Sequence, residues 1–141
     1  MTVDDKDVAI ITELKKNARL PIRDIAKKTG IRPSTVHQRI TKLKQGGVID
    51  RFTVKLDNKL AGESFIVFLL VKTKPGVMLD KIEHDEHVKE VFGITGEYDL
   101  LLKLKFNDVG EFNKFIIKFR KEQQIQTTLT MVATAEVKEE I

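Results

Sequence analysis

At 141 residues the chain has room for one domain or two small ones, and it contains no cysteine, which excludes disulfide staples and thiolate metal sites. Its longest apolar run, Phe65 to Val71, is strand-sized and far short of the ~18 residues of a membrane span. The net charge of +4 divides unevenly: residues 1–55 carry 13 Lys and Arg against 6 Asp and Glu, net +7, whereas residues 56–141 carry 12 against 15, net −3. A basic first half beside an acidic remainder points to a polyanion as partner, with nucleic acid foremost, and argues against general stickiness. The opening Met1-Thr2-Val3-Asp4-Asp5 is acidic and runs straight into a helix pattern, with neither a secretory nor a transit signal, so a cytoplasmic location and no membrane partner are expected.

The first predicted helix is capped by Asp4 or Asp5 and carries Val8, Ile11 and Leu14 on one face with Ile10 beside them, ending near Asn17. Pro21 suits the start of a second helix because its missing N–H has no role there; Ile22, Ile25 and Ala26 form a short buried stripe, and Gly30 supplies the stop. A third helix opens at Pro33, buries Val36, Ile40 and Leu43 at spacings of four and three, and stops at Gly46-Gly47.

Two short helices a turn apart make a helix-turn-helix, whose second member lies in the major groove with its N-terminal residues against base edges. Opposite the apolar stripe stand Ser34, Gln38 and Thr41, flanked by Thr35, His37 and Lys42, with no acidic residue among them. Gln reads adenine in bidentate fashion, Ser and Thr both donate and accept, and Arg39, Lys42 and Lys44 suit phosphates. Arg32, at the turn, is placed to meet either base or phosphate. The competing reading is a solvated face on a small helical domain. Val48-Ile49 and Phe52 to Leu56 then read as short strands around Asp50-Arg51, a wing or a linker strand, and Asp57 to Glu63 as a hinge.

The second half has the order β-α-β-β-α-β. Ser64 to Thr73 places Phe65, Val67, Leu69 and Val71 on one side and Ile66, Phe68 and Leu70 on the other. A strand apolar on both sides implies a cover for each face, and another subunit is the simplest cover for the second. Met78, Leu79 and Ile82 mark a helix. Val88 to Thr95 and Tyr98 to Phe106 form a hairpin about Gly96-Glu97. Asp108 caps a helix bearing Val109, Phe112, Phe115, Ile116 and Phe119, and Ile125 to Val137 is the last strand. The expected fold class is α+β: a winged-type helix-turn-helix over residues 1–50, a linker over 51–63, and a ferredoxin-like βαββαβ domain over 64–141.

Asp4 to Arg19, Asp24-Ile25-Ala26-Lys27-Lys28, Gly30-Ile31 and Val36 through Gly47-Val48-Ile49 resemble the DNA-binding half of the Lrp/AsnC (feast/famine) transcription regulators. Gly96-Glu97-Tyr98-Asp99-Leu100 resembles that family's effector-domain turn, and the likeness spans essentially the whole chain. The resemblance implies sequence-specific binding of double-stranded DNA, homodimers that associate further, often to octamers, and response to an amino acid at interfaces between dimers. It places the effector site at Gly96, Glu97, Tyr98 and Asp99, with Thr130 and Thr134 of the last strand as further members. Such a turn exposes backbone groups and supplies carboxylates, which suit an ammonium group. Glu97 stands where the family usually has Asp, and Arg32 where it usually has a small helix-capping residue.

Glu83-His84-Asp85-Glu86-His87 contains metal-capable side chains, but the setting is a charged helix end and reads as solvated surface; no metal site or cofactor is expected. The sequence carries no Cys nucleophile, no Gly-rich phosphate loop and no recognisable Ser/His/Asp arrangement, so no enzyme is expected. Two alternatives stay open at this point: an architectural DNA-coating protein without an effector, and an enzyme like the siroheme decarboxylases, which share the two-domain plan. The basic recognition face argues against the enzyme.

Overall fold

A computed structural model describes residues 1–75, 80–122 and 124–141. The chain divides into two compact units, Met1–Lys55 and Leu56–Ile141, at the boundary where the charge changes sign.

The first unit holds α1 (Asp5–Lys16), α2 (Ile22–Thr29) and α3 (Pro33–Gln45). Asp4 caps α1 in a reciprocal box with Asp7, Gly30 ends α2 in the left-handed conformation (φ 71°), and Pro33 opens α3. Ile10, Ile25, Ala26 and Val36 form the core, with Leu14, Leu20, Ile22, Ile31 and Ile40 packed around them. Val8, expected on the buried face of α1, is exposed; Asp7 and Ile10 are the residues that α1 buries. The apolar spacing alone could not show that a charged residue would take that position. Residues 48–56 form no strand, contrary to expectation. A strand needs a neighbour for its N–H and C=O groups, and among the described residues no strand pairs with this segment.

The second unit holds β1 (Phe65–Thr73), α4 (Asp80–Glu83), β2 (Val88–Gly93), β3 (Leu100–Phe106), α5 (Val109–Arg120) and β4 (Ile125–Val132). The sheet order is β2-β3-β1-β4, all pairs antiparallel, which is the ferredoxin-like arrangement. Met78 and Leu79 lie outside the described residues. Val67, Leu69 and Val71 align with Leu104, Leu102 and Leu100, so one face is continuous aliphatic surface, closed by Phe112, Ile116 and Phe119 of α5. Val109, expected in that stripe, is exposed at the first turn.

The opposite sheet face is half covered. At one end Asn58, buried, donates to Glu136 (3.0 Å) and Glu139 (3.1 Å), while Lys105 donates to Asn58 (2.7 Å) and Glu139 (2.9 Å). Lys103 also pairs with Glu139. This network draws residues 133–141 off the strand direction, so β4 stops at Val132 and not at Val137. Residues 57–63, read as a hinge, form a turn closed by Ala61 N–H to Asp57 O and Glu63 N–H to Asn58 O. At the other end Phe92, Leu129 and Met131 are 56%, 44% and 41% exposed beside Phe68, Leu70 and Leu101. None of the helices among the described residues is long and apolar enough to cross a membrane.

Candidate DNA-recognition face and effector turn

Val36 and Leu43 of α3 are fully buried, which turns Ser34, His37, Gln38, Thr41 and Lys42 outward; all five are exposed, as is Arg32. Thr35 is half-buried. Arg32, at the N-cap, makes no side-chain capping bond, and no acidic residue occupies the first turn of α3. The helix therefore presents uncapped N–H groups and the positive end of its dipole where an anion is welcome. Ser34 and Gln38, a turn apart, share that end.

Three of the cationic or donor groups are already engaged within the unit. The Thr41 hydroxyl donates to His37 O (3.0 Å), which leaves it an acceptor for a ligand. Lys44 donates to Asp50 O (2.8 Å) and ties the chain after α3 to its last turn. Arg39, expected at phosphate, is half-buried and paired with Asp4 and Asp7 of α1. Lys42 and Arg32 carry no ion pair among the described residues. The sequence reading passed over Arg23 and Lys27, which are exposed on α2 opposite buried Ile25 and Ala26. Their signal was available, because the first helix of such a pair crosses the phosphate backbone and its polar face is fixed by that apolar stripe.

In the second unit Gly96 takes φ 109°, a left-handed value that favours glycine, and forms the bend between β2 and β3. Ile94 N–H donates to Asp99 O and Asp99 N–H to Val71 O, both at 2.8 Å, so the bend is stitched to β1. One Asp99 carboxylate oxygen accepts from Thr73 N–H (2.7 Å) and from Thr73 Oγ1 (2.8 Å). Those bonds, the backbone one foremost, hold the Asp99 carboxyl below its usual value. Glu97 is exposed and Tyr98 half-buried. Thr130 sits opposite Leu69 with a buried hydroxyl that finds no partner among the described residues. Thr134 follows Ala133, whose N–H meets Ile66 O at the far end of β1. Because β1 runs from Ile66 to Thr73 between them, Thr134 and Asp99 are separated by roughly 20 Å within one chain. The structure does not bring those two together.

His87, read as surface, stacks on Phe106 at 4.7 Å, with Nδ1 3.1 Å from Lys105 O and Nε2 3.3 Å from Glu111. It belongs to the rim of the core. A cavity of about 440 Å³ is lined by Ile82, Phe115, Phe119 and Ile125 together with His84 and Lys118; none of the candidate effector residues lines it.

Residues 3–50 match the family model for winged helix-turn-helix DNA-binding domains, and residues 66–141 match that for the Lrp/AsnC ligand binding domain. The chain is 34% identical over 143 residues to the HTH-type transcriptional regulator FL11 of Pyrococcus abyssi, covering 99% of this chain and 94% of that one. The Pyrococcus furiosus FL11 regulator is 33% identical over 133 residues, covering 92% and 88%. Among solved structures, E. coli AsnC is similar with TM-score 0.89 at 26% identity, covering 100% of this chain and 98% of that one. A Neisseria meningitidis regulator solved as its L-Met complex has the same fold, with TM-score 0.91 at 21% identity over 99% and 94% of the two chains.

Proposed function

The chain belongs to the Lrp/AsnC family of transcriptional regulators, and from that membership we propose that α3 reads base edges through Ser34 and Gln38 while an amino acid acts on the second unit. The protein is a transcriptional regulator with a DNA-binding helix-turn-helix and a Lrp/AsnC ligand-binding domain. The observation that carries the base-reading assignment is the outward face of α3: exposed donors opposite a fully buried stripe, at an uncapped helix N-terminus without acids. Lys42 and Arg32, with Arg23 and Lys27 of α2, supply the phosphate contacts in this reading. Thr35, His37 and Thr41 flank the base-reading pair, and no residue is assigned a catalytic role.

The half-covered sheet face suits a second copy of the chain, since Phe92, Leu129 and Met131 leave apolar area that water would otherwise meet. A dimer built there presents two α3 helices to half-sites roughly 34 Å apart, one turn of B-DNA. Further association of dimers, to an octamer, is part of the same proposal, as is work in the cytoplasm, where the DNA is. Gly96, Glu97, Tyr98 and Asp99 form the candidate effector turn; a neighbour solved with L-Met makes amino acids the ligand class to test.

The test of the DNA reading is binding to duplexes enriched from a random library by the wild-type protein, against scrambled duplex, over a range of salt. Gln38→Ala is expected to weaken the enriched site about tenfold or more and to leave scrambled DNA alone. Lys42→Ala is expected to weaken both and to reduce the salt slope by about one phosphate. Equal loss on both duplexes for Gln38→Ala would end its base-reading role.

A further inference from the structure

We propose that Arg39 is a positioning residue for DNA reading, which holds α3 in its reading orientation by gripping the N-terminal cap of α1. The proposal rests on α3 being the recognition helix. At 100° per residue Arg39 lies roughly 70° from the centre of the Val36/Ile40/Leu43 stripe, whereas Gln38 lies roughly 170° from it. A side chain at the first angle reaches the neighbouring helix, and one at the second reaches the groove. The contacts agree: Arg39 Nη1 donates to Asp4 Oδ1 at 2.5 Å and to Asp7 Oδ1 at 3.1 Å.

Those two carboxylates already serve as the capping box, Asp7 N–H donating to Asp4 Oδ1 (3.0 Å) and Asp4 N–H to Asp7 Oδ2 (3.1 Å). The box draws two negative charges together, one of them on Asp7, which is only 4% exposed. A cation is needed there, and Arg39 supplies it. The hydrogen bond from Arg39 is the main reason that the Asp4 carboxyl is held down at about 2. A second point of contact fixes the same helix, because the side chain of Met1 lies against Gly46 at the end of α3. Arg39 and Gly46 are seven residues, about two turns, apart, so contacts with residues 1–7 resist both rotation and sliding of α3. Hydrogen bonds to base edges depend on donor angle and distance, so the residue that sets helix orientation sets selectivity without touching DNA.

The experiment uses the full chain and the enriched and scrambled duplexes, with Arg39→Gln and Asp4→Asn compared with wild type. Asn caps helices as well as Asp, so Asp4→Asn keeps the cap while removing one of the two charges that hold Arg39 and loosening its grip. It also makes the protein more positive, and bulk electrostatics alone would tighten its grip on all DNA. The expected result is a roughly tenfold loss of selectivity in both variants, with the salt slope of Arg39→Gln on scrambled DNA unchanged. A slope lowered by about 0.9 in Arg39→Gln, with selectivity intact in Asp4→Asn, would make Arg39 a phosphate contact and overturn the proposal. Selectivity intact in both would overturn it as well. Far-UV circular dichroism accompanies each variant; should Arg39→Gln lose helix, Asp4→Asn decides alone. If the wild type enriches no sequence, the base-reading function itself falls before either variant is tested, and the proposal falls with it.

Discussion

The two units solve opposite problems with their surfaces. Met1–Lys55 closes a small aliphatic core around Ile10, Ile25 and Val36 and turns outward a helix face of donors and cations. Leu56–Ile141 closes one side of its sheet with α5, but leaves Phe92, Leu129 and Met131 exposed on the other while it draws Lys103, Lys105 and Glu139 into a half-buried network. The first surface is finished and waits for a polyanion. The second is an unfinished core, and its completion requires another apolar surface. A function that depends on charge can therefore be read from one chain, whereas one that depends on association needs a second copy to become visible.

The largest expected effect comes from breaking that association. Leu129→Asp places a charge in the middle of the exposed apolar end of the sheet, opposite Leu70. It should yield monomers by size-exclusion chromatography with light scattering, and weaken binding to a two-half-site duplex about 100-fold, because the second contact loses its effective concentration. An unchanged assembly in Leu129→Asp would move the interface elsewhere and erase the contrast between the units.

A smaller effect tests the covered end of the same face. Burial pushes the Glu139 carboxyl up, but hydrogen bonds from Lys103, Lys105 and Asn58 outweigh it and hold the group at about 2 against an ordinary 4.5. A depressed carboxyl stabilises the folded state fully above pH 4.5, and that contribution is lost as pH falls toward 2. Glu139→Gln should cost about 1–2 kcal/mol at neutral pH in urea unfolding. The gap between variant and wild type should shrink through that acid window. A gap that stays constant down to pH 2 would show that the carboxylate charge is not what holds residues 133–141 in place.

Most of the fold was legible because local rules and tertiary packing agree. The Asp4 and Asp108 caps, the stop at Gly30, the start at Pro33 and the alternation along Phe65 to Thr73 each mark their element. What stayed hidden lies where a residue's surroundings depend on a distant partner. Arg39 reads as a phosphate contact by type, and nothing in the pattern of α3 shows the two carboxylates 32 and 35 residues earlier with which it pairs. Phe52 to Leu56 has strand composition, but pairing is not a property of composition. Val137 continues an apolar pattern that the Glu139 network redirects. For the candidate site, the outward face of α3 followed from helical period alone, whereas Asp99 could be placed in the turn without any sign that Thr73 would occupy one of its oxygens.

That last residue offers the finest test, because Asp99 is both a clasp on Thr73 and a candidate ligand for an ammonium group. The two roles separate under Asp99→Asn, which keeps an oxygen for the Thr73 N–H but removes the charge. As a clasp the variant should unfold near the wild-type urea midpoint in the absence of any amino acid, since the group is exposed and its neutral bonds to Thr73 persist. As a ligand group it should lose the rise in melting temperature that a panel of amino acids is expected to reveal in the wild type. Stability near wild type together with a lost ligand response would join the turn to the effector site. A retained response would leave Asp99 as a clasp alone and shift attention to Glu97. If no amino acid moves the wild-type melting temperature, the second unit works through assembly without this class of effector, and the difference between the two units becomes one of charge against packing only.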